Sequence, residues 1–168
     1  TKSVDIILVS SPTFFSVISA YVLSKMYQKP FIFEVRDLWP AVFKELNVIK
    51  NKVLLSILEK IELFLYMKSV KVVTVTKSFT DNIISRGVPR EKVHTITNGV
   101  NTKLFRPIDK DDNLIKSLSL GGKFIVLYLG AHGISHGLET IISVAGILKR
   151  KKDIHFLFVG DGAKKEKL

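Results

Sequence analysis

The sequence predicts an α/β fold in which helices cover parallel sheets. Short runs rich in β-branched and aromatic residues are bounded by turn residues or charges, as buried strands are. Between these runs, apolar residues recur at helical spacing. Because continuous apolar strands that alternate with amphipathic helices are typical of parallel sheets covered on both faces, we expect an open α/β architecture.

The elements alternate along the whole chain. The predicted strands are Val4–Ser10, Phe31–Val35, Lys71–Val75, Val93–Thr97, Phe124–Leu129 and His155–Val159. The predicted helices are Thr13–Gln28, Asn51–Lys68, Lys77–Arg86 and Gly137–Arg150. The second helix is apolar around most of its circumference, but Glu59, Lys60 and Glu62 interrupt it and it is too short to span a bilayer. We expect it to be buried between sheet and neighbour, with contact to a partner helix or a bilayer surface as the alternative.

A polar stretch divides the chain. The segment TNGVNTKLFRPIDKDDN, residues 97–113, reads as a linker with Asn98 and Gly99 in a tight turn. Four predicted strands precede it and two follow. We therefore expect residues 1–105 to form the latter part of one α/β domain, and residues 106–168 to form the linker and the first part of a second.

Composition and charge limit the function classes. An apolar content of 46% excludes a disordered protein, and the lack of cysteine excludes disulfides and thiolate metal sites. A net charge of +11 indicates phosphate-bearing partners, either nucleic acid, nucleotides or an anionic membrane, although a solubilising surface explains many lysines. Basic residues are not interleaved with aromatic ones, which speaks against a single-strand nucleic-acid binder.

The segment EVRDLWP, residues 34–40, places charged side chains at the end of a buried strand. Open α/β sheets bind their ligands at this edge, so Glu34, Arg36 and Asp37 are candidates for a site. Asp37 is the sharpest candidate because it lies just past the strand. The alternative is that Asp37 caps a short helix opened by Pro40, and the residues alone leave both readings open.

Two strand ends in the second half carry glycines. In VLYLGAHGISHGLETI, residues 126–141, Gly130, Gly133 and Gly137 separate a strand from a helix whose first amides lack internal partners, which suits a phosphate. His132 and His136 of this loop either donate to a diphosphate or hydrogen-bond the loop itself. The second end, FVGDGAKK, contributes two further glycines. These are Gly160 and Gly162. Neither segment has the spacing of a dinucleotide fingerprint or a phosphate loop, so a nicotinamide cofactor is not expected.

The order of these segments is similar to that of a known family. PFIFEVRDLWP, VVTVTKSFTDNIISRGVPREKVHTITNGVNTKLFRP, VLYLGAHGISHGLETI and FLFVGDG together resemble the group 1, or family 4, glycosyltransferases, retaining enzymes of the GT-B fold. The RDLWP and HGLET segments resemble the branch that builds capsule and O-antigen polysaccharides, including fucosaminyltransferases. The resemblance implies two Rossmann-like domains, a nucleotide-diphosphate sugar held mainly by the second, and no metal or other cofactor.

The resemblance assigns roles to single positions. Gly130 matches the glycine that ends the first strand of the second domain, and the loop from Gly130 to Gly137 would hold the donor diphosphate. Ala131 and His136 stand where many relatives have basic residues. Arg36 and Asp37 match a His-Asp pair, so Asp37 would face the acceptor or the sugar, and Arg36 would act electrostatically because a guanidinium cannot be a base. Asn98 and Gly99, in TNGV, match the segment that closes the first domain, and with Gly160 and Gly162 they would lie in cleft loops.

The family's first glycine loop and its paired glutamates are absent from the 168 residues. We therefore expect the chain to be the middle of an enzyme about twice as long, inactive alone. The implied reaction moves a sugar to a saccharide or polyprenyl-linked saccharide, in the cytoplasm or peripherally on the inner face of the plasma membrane. No nucleic acid is expected as partner. Two alternatives stay open, a nucleotide-sugar epimerase of the same architecture and a basic nucleic-acid-binding module.

Overall fold

The computed structural model describes residues 4–46 and 48–168, and the side chain of Glu45 is left aside. The chain divides into two compact units, Thr1–Asn101 and Thr102–Leu168. The boundary expected between residues 105 and 106 falls shortly after this division.

The first unit is a four-stranded parallel sheet covered by helices. Its strands run in the spatial order β1-β2-β3-β4. They are β1 (Ile7–Ser10), β2 (Phe31–Val35), β3 (Lys71–Thr74) and β4 (Val93–Thr95), and the helices are α1 (Phe14–Met26), α2 (Ala41–Glu45), α3 (Lys52–Lys68) and α4 (Lys77–Ser85). Since each strand pairs with the next along the chain and such crossovers are right-handed, α1, α3 and α4 lie on one face of the sheet.

Side chains at alternate strand positions make the core beneath these helices. Phe31, Phe33 and Val35 of β2 are buried and pack with residues of the helices. The helical partners are Val17 of α1, Leu65 and Tyr66 of α3 and Ile83 of α4. This burial on the helix side explains why β2 reads as an apolar run in the sequence.

Local sequence signals set the ends of the helices. The Asn51 side chain accepts hydrogen bonds from the amides of Val53 and Leu54, so α3 begins at Lys52.

Strand β1 is shorter than predicted because the first residue of β2, Phe31, pairs with Ile7 and the residues before Ile7 have no partner strand. No described helix is long and apolar enough to cross a membrane.

The second unit has two parallel strands, β5 (Phe124–Leu129) and β6 (Ile154–Val159), paired along their full length. Its helices are α5 (Asp112–Ser117) and α6 (Leu138–Ile147). Helix α5 begins at the end of the predicted linker, residues 97–113, and was not predicted; the Asp111 side chain caps it by accepting hydrogen bonds from the amides of Asn113 and Leu114.

The tight turn predicted at Asn98 and Gly99 is wrong. Residues 96–101 are irregular backbone without a turn, and the chain turns instead at residues 102–104. Gly99 does not take the positive φ that makes glycine necessary in many turns. The Asn-Gly pair therefore gave a false local signal.

Candidate functional site

A buried serine holds the RDLWP segment at the end of β2. Ser11 follows β1, and its hydroxyl accepts hydrogen bonds from the amides of Arg36 (3.0 Å) and Asp37 (3.3 Å). The same hydroxyl donates to the Asp37 carbonyl oxygen at 3.2 Å. Ser11 is 5% exposed, whereas the Arg36 and Asp37 side chains are exposed. The ends of two neighbouring strands are thus joined, and the two charged side chains point away from the core. Sequence reasoning did not identify Ser11.

The capping role considered for Asp37 is not found. Helix α2 begins after Pro40, and no side chain forms a hydrogen bond that caps it. Trp39 is part of the packing of this segment, since its ring stacks on Phe14 at a centroid distance of 4.2 Å and meets Phe43 edge to face at 5.3 Å. The Asp37 side chain is therefore exposed at the carboxyl edge of the sheet, in a segment held by Ser11 and by the packing of Trp39.

The glycine loop after β5 leads into α6 as the sequence predicts. A short 3-10 helix, Ile134–His136, precedes Gly137, and Gly137 has φ 59°, in the left-handed region that favours glycine. Helix α6 then begins at Leu138, whose buried side chain anchors it. A β-carbon on Gly133 would lie 2.9 Å from Nδ1 of His136, so any larger residue there displaces the exposed His136 ring.

The two histidines of the loop differ in environment. His132 is 4% exposed, and neither of its ring nitrogens has a hydrogen-bond partner. Its ring lies beside Tyr128 and Phe158, at centroid distances of 6.0 and 6.5 Å. His136 is exposed. Of the two rings, only that of His136 can meet a ligand at the surface of the loop in this conformation, and the His132 backbone instead holds the loop after β6.

The loop after β6 lies directly against the glycine loop. The Gly130 amide donates to the Val159 carbonyl (3.0 Å), and the His132 amide donates to the Asp161 carbonyl (2.8 Å). A β-carbon on Gly160 would overlap the carbonyl oxygen of Gly130, and one on Gly162 would lie 2.7 Å from the carbonyl oxygen of His132. These two glycines, predicted as cleft-loop residues, are required for the close approach of the two backbones.

A lysine that the sequence did not single out reaches the beginning of α6. The Lys164 amide donates to the His132 carbonyl at 2.9 Å, and its Nζ lies 2.6 Å from Oε1 of Glu139. The hydrogen bond from Lys164, followed by that from the backbone amide of Glu139 itself, holds the pKa of the Glu139 carboxyl below its usual value. The first turn of α6 therefore already holds a carboxylate, which the positive end of a helix dipole favours, and this carboxylate in turn holds the Lys164 ammonium. In the sequence, Lys164 stands among terminal lysines that read as solvated charge.

The carboxylate of Asp161, beside this loop, also accepts a hydrogen bond from a backbone amide. Donation from the Gly162 amide at 2.7 Å, and then the charge of Lys165, lower the pKa of Asp161.

Asn98 and Gly99 follow β4 in the first unit and are exposed. Among the described residues, no group of His, Asp or Glu side chains could hold a metal ion.

A buried carboxylate lies outside all the predicted site residues. Glu62 of α3 accepts a hydrogen bond from the Tyr66 hydroxyl at 2.7 Å and lies 2.6 Å from a guanidinium nitrogen of Arg86. Desolvation by burial raises the pKa of Glu62 despite these two partners. A cavity of about 150 Å³ borders Glu62 and Arg86 and reaches Pro40 of the RDLWP segment.

A family model described as Glycosyltransferase Family 4 matches residues 1–104, which include the RDLWP segment. The chain belongs to Glycosyltransferase Family 4. No curated protein matches the sequence. Several solved structures match this family member in fold, and three of them are of Anabaena Alr3699/HepE. With UDP and glucose bound, that protein aligns at TM-score 0.73 and 15% identity over 95% of this chain and 41% of its own.

The other two structures agree on the fold. The complex with UDP gives TM-score 0.74 and 15% identity over 96% of this chain and 42% of the other. The complex with UDP-glucose gives TM-score 0.61 and 13% identity over 90% of this chain and 48% of the other. At these identities the likeness shows the GT-B fold alone. The Family 4 chain spans less than half the length of these structures.

Proposed function

We propose that this chain serves a retaining, hexosyltransferase-type enzyme that moves a sugar from a nucleotide-diphosphate donor to a hydroxyl of a lipid-linked or growing saccharide. Membership of Glycosyltransferase Family 4 supports the transferase class, and the UDP and UDP-glucose bound to the Anabaena protein of the same fold support the donor class. The RDLWP and HGLET segments favour the branch that builds capsule and O-antigen polysaccharides.

The observation that carries this proposal is that the glycine loop after β5 leads into the N-terminus of α6. Loss of the diphosphate from the anomeric carbon leaves an oxocarbenium-like sugar, so catalysis requires stabilisation of negative charge on the leaving group. A helix N-terminus offers unpaired amides, and its dipole favours an anion by about 0.3–1 kcal/mol at an exposed site. The donor diphosphate would lie along the loop from Gly130 to Gly137, with His136 and Lys164 as side-chain donors.

The donor diphosphate would displace the carboxylate of Glu139 from the first turn of α6. This carboxylate pairs with Lys164 at 2.6 Å. A diphosphate carries more negative charge and more acceptor oxygens than a carboxylate, so it would take over both Lys164 and the free amides of the turn. In the first unit, Asp37 would act on the acceptor hydroxyl or the sugar, and Arg36 would contribute positive charge only.

Two substitutions in the loop test this placement. In Gly133→Val the side chain displaces His136, and in His136→Glu a carboxylate stands beside the diphosphate. We expect each to weaken UDP binding about tenfold, or about 1.4 kcal/mol, with a much smaller effect on thermal unfolding. Gly121→Val is the matched control, because a β-carbon on Gly121 meets nothing within 4 Å. Unchanged UDP affinity in both loop variants would remove the loop from the donor site.

A further inference from the structure

We propose that the carboxylate of Glu139 is a built-in competitor for the terminal phosphate of the nucleoside diphosphate that remains after sugar transfer, and that it promotes release of this product. Glu139 lies in the first turn of α6, and its partner Lys164 lies in the segment after β6, both in the second unit. The proposal rests on the proposed function and adds a role for a residue to which the family resemblance assigns none.

Glu139 occupies two hydrogen-bond donors that a phosphate at this position needs. Its Oε1 accepts from the Lys164 ammonium at 2.6 Å, and its carboxylate also accepts from its own backbone amide. The Thr140 amide is already paired with the Gly137 carbonyl at 3.0 Å. A phosphate at the N-terminus of α6 therefore reaches the ammonium and the first amides only after the Glu139 carboxylate has moved away.

Lys164 is held in place by its backbone. Its amide donates to the His132 carbonyl at 2.9 Å, and the His132 amide donates to the Asp161 carbonyl at 2.8 Å. The next lysine, Lys165, is directed toward Asp161, with its Nζ 3.7 Å from a carboxylate oxygen. Because the main chain of Lys164 is fixed and its side chain is only 28% exposed, its ammonium can exchange one anion for another at nearly the same place.

The Glu139 carboxylate can leave this position at low cost. Its side chain is 54% exposed, so water solvates the carboxylate as soon as it turns away from Lys164. The Ser143 hydroxyl donates to the backbone carbonyl of Glu139 at 2.8 Å, which holds the main chain of the helix and not the carboxylate. An exposed ion pair of this kind contributes little to stability. The contact is therefore weak enough to break and form again in each catalytic cycle.

Charge distinguishes the donor from the product. In a nucleotide sugar the second phosphate is esterified by the sugar and carries about one negative charge, whereas after transfer it is a terminal phosphate with a charge of about −1.5 to −2 and three strong acceptor oxygens. The product therefore binds the Lys164 ammonium and the amides of α6 more strongly than the donor does. By forming its pair with Lys164 again, Glu139 stabilises the ligand-free protein and lowers the affinity for the product.

Binding of UDP and of UMP to Glu139→Gln, measured by calorimetry, tests the competition. The glutamine keeps the shape of the side chain and removes its charge, so UDP should bind about fivefold more tightly. The affinity for UMP, which lacks the second phosphate, should stay nearly the same. The matched control is Glu166→Gln, which removes the same charge from an exposed position two residues after Lys164 and should change neither affinity.

A second substitution separates competition for Lys164 from general charge repulsion. Lys164→Gln should weaken UDP binding about twofold in the wild type, where the lysine exchanges Glu139 for phosphate, but about tenfold in the Glu139→Gln background, where the whole bond to phosphate is lost. Charge repulsion alone would make the two effects additive. Lys167→Gln, at an exposed position of the same segment, is the control for the loss of a positive charge.

Thermal unfolding of each variant shows whether Glu139 only stabilises its helix, as a first-turn glutamate does. The proposal is overturned if Glu139→Gln binds UDP no more tightly than Glu166→Gln, or if the effects of the Lys164 and Glu139 substitutions are additive. It is overturned together with the proposed function if UDP does not shift the amide NMR signals from Gly130 to Glu139. Additive effects in a protein that shows those UDP-specific shifts would refute the competition and leave the donor site standing.

Discussion

Removal of the Ser11 hydroxyl should loosen the segment that carries Asp37. In Ser11→Ala, the amides of Arg36 and Asp37 and the Asp37 carbonyl lose a partner at 3.0, 3.3 and 3.2 Å. Each net hydrogen bond contributes about 1 kcal/mol, and a buried group left unpaired costs about 1–3 kcal/mol. Because the neighbouring side chains are exposed, water can replace part of this loss. We therefore expect a fall of about 2 kcal/mol in the free energy of unfolding of the first unit.

The sole tryptophan reports on this change directly. Trp39 lies in the same segment and stacks on Phe14 at 4.2 Å, so its fluorescence follows both the packing of the loop and the unfolding of the unit in urea. The matched control is Ser19→Ala, whose exposed hydroxyl donates only to the Phe15 carbonyl within α1 (3.0 Å). The reasoning would be refuted if Ser11→Ala and Ser19→Ala had the same midpoint of urea unfolding and Trp39 emission were unchanged.

Three further results are expected. Gly160→Ala should raise hydrogen exchange throughout β5 and β6 but not in the first unit, because its β-carbon overlaps a backbone oxygen; Gly146→Ala, which meets nothing, should not. In the full-length enzyme, Asp37→Asn should reduce turnover in a transfer assay without lowering the melting temperature, and the reverse outcome would make Asp37 structural. Folding raises the pKa of Glu62 above 4.5, so the folded state loses stability as pH rises from 4.5 through the folded-state pKa and the buried carboxyl ionises. Urea titrations at a series of pH values should show this loss in the wild type and not in Glu62→Gln.

The sequence predicted the order of the main elements because their signals are local and strong. The apolar runs of β2 and β5 match the structure at both ends, and the helix that begins at Lys52 follows an asparagine cap. Helix α5 was missed because six residues are too few to establish a period. The Asn98-Gly99 turn failed because the dipeptide permits a turn without requiring one.

The site was only partly visible in the sequence because its supports come from distant parts of the chain. Ser11 reaches Asp37 from another strand, 26 residues away. Lys164 reaches Glu139 over 25 residues. Burial of the His132 ring arises from packing against Tyr128 and Phe158, which no spacing reveals. The roles of the predicted site residues stay predictions, and the experiments above test those of Asp37, Gly133 and His136.

Chemical-shift mapping of nucleotide binding tests the central claim most directly. The isotope-labelled protein would be titrated with UDP and, separately, with uridine, which lacks the diphosphate. We predict that UDP, but not uridine, shifts the backbone amides from Gly130 to Glu139 and that of Lys164, since these surround the N-terminus of α6. Absence of UDP-specific shifts there, or shifts confined to the first unit, would contradict the proposed donor site.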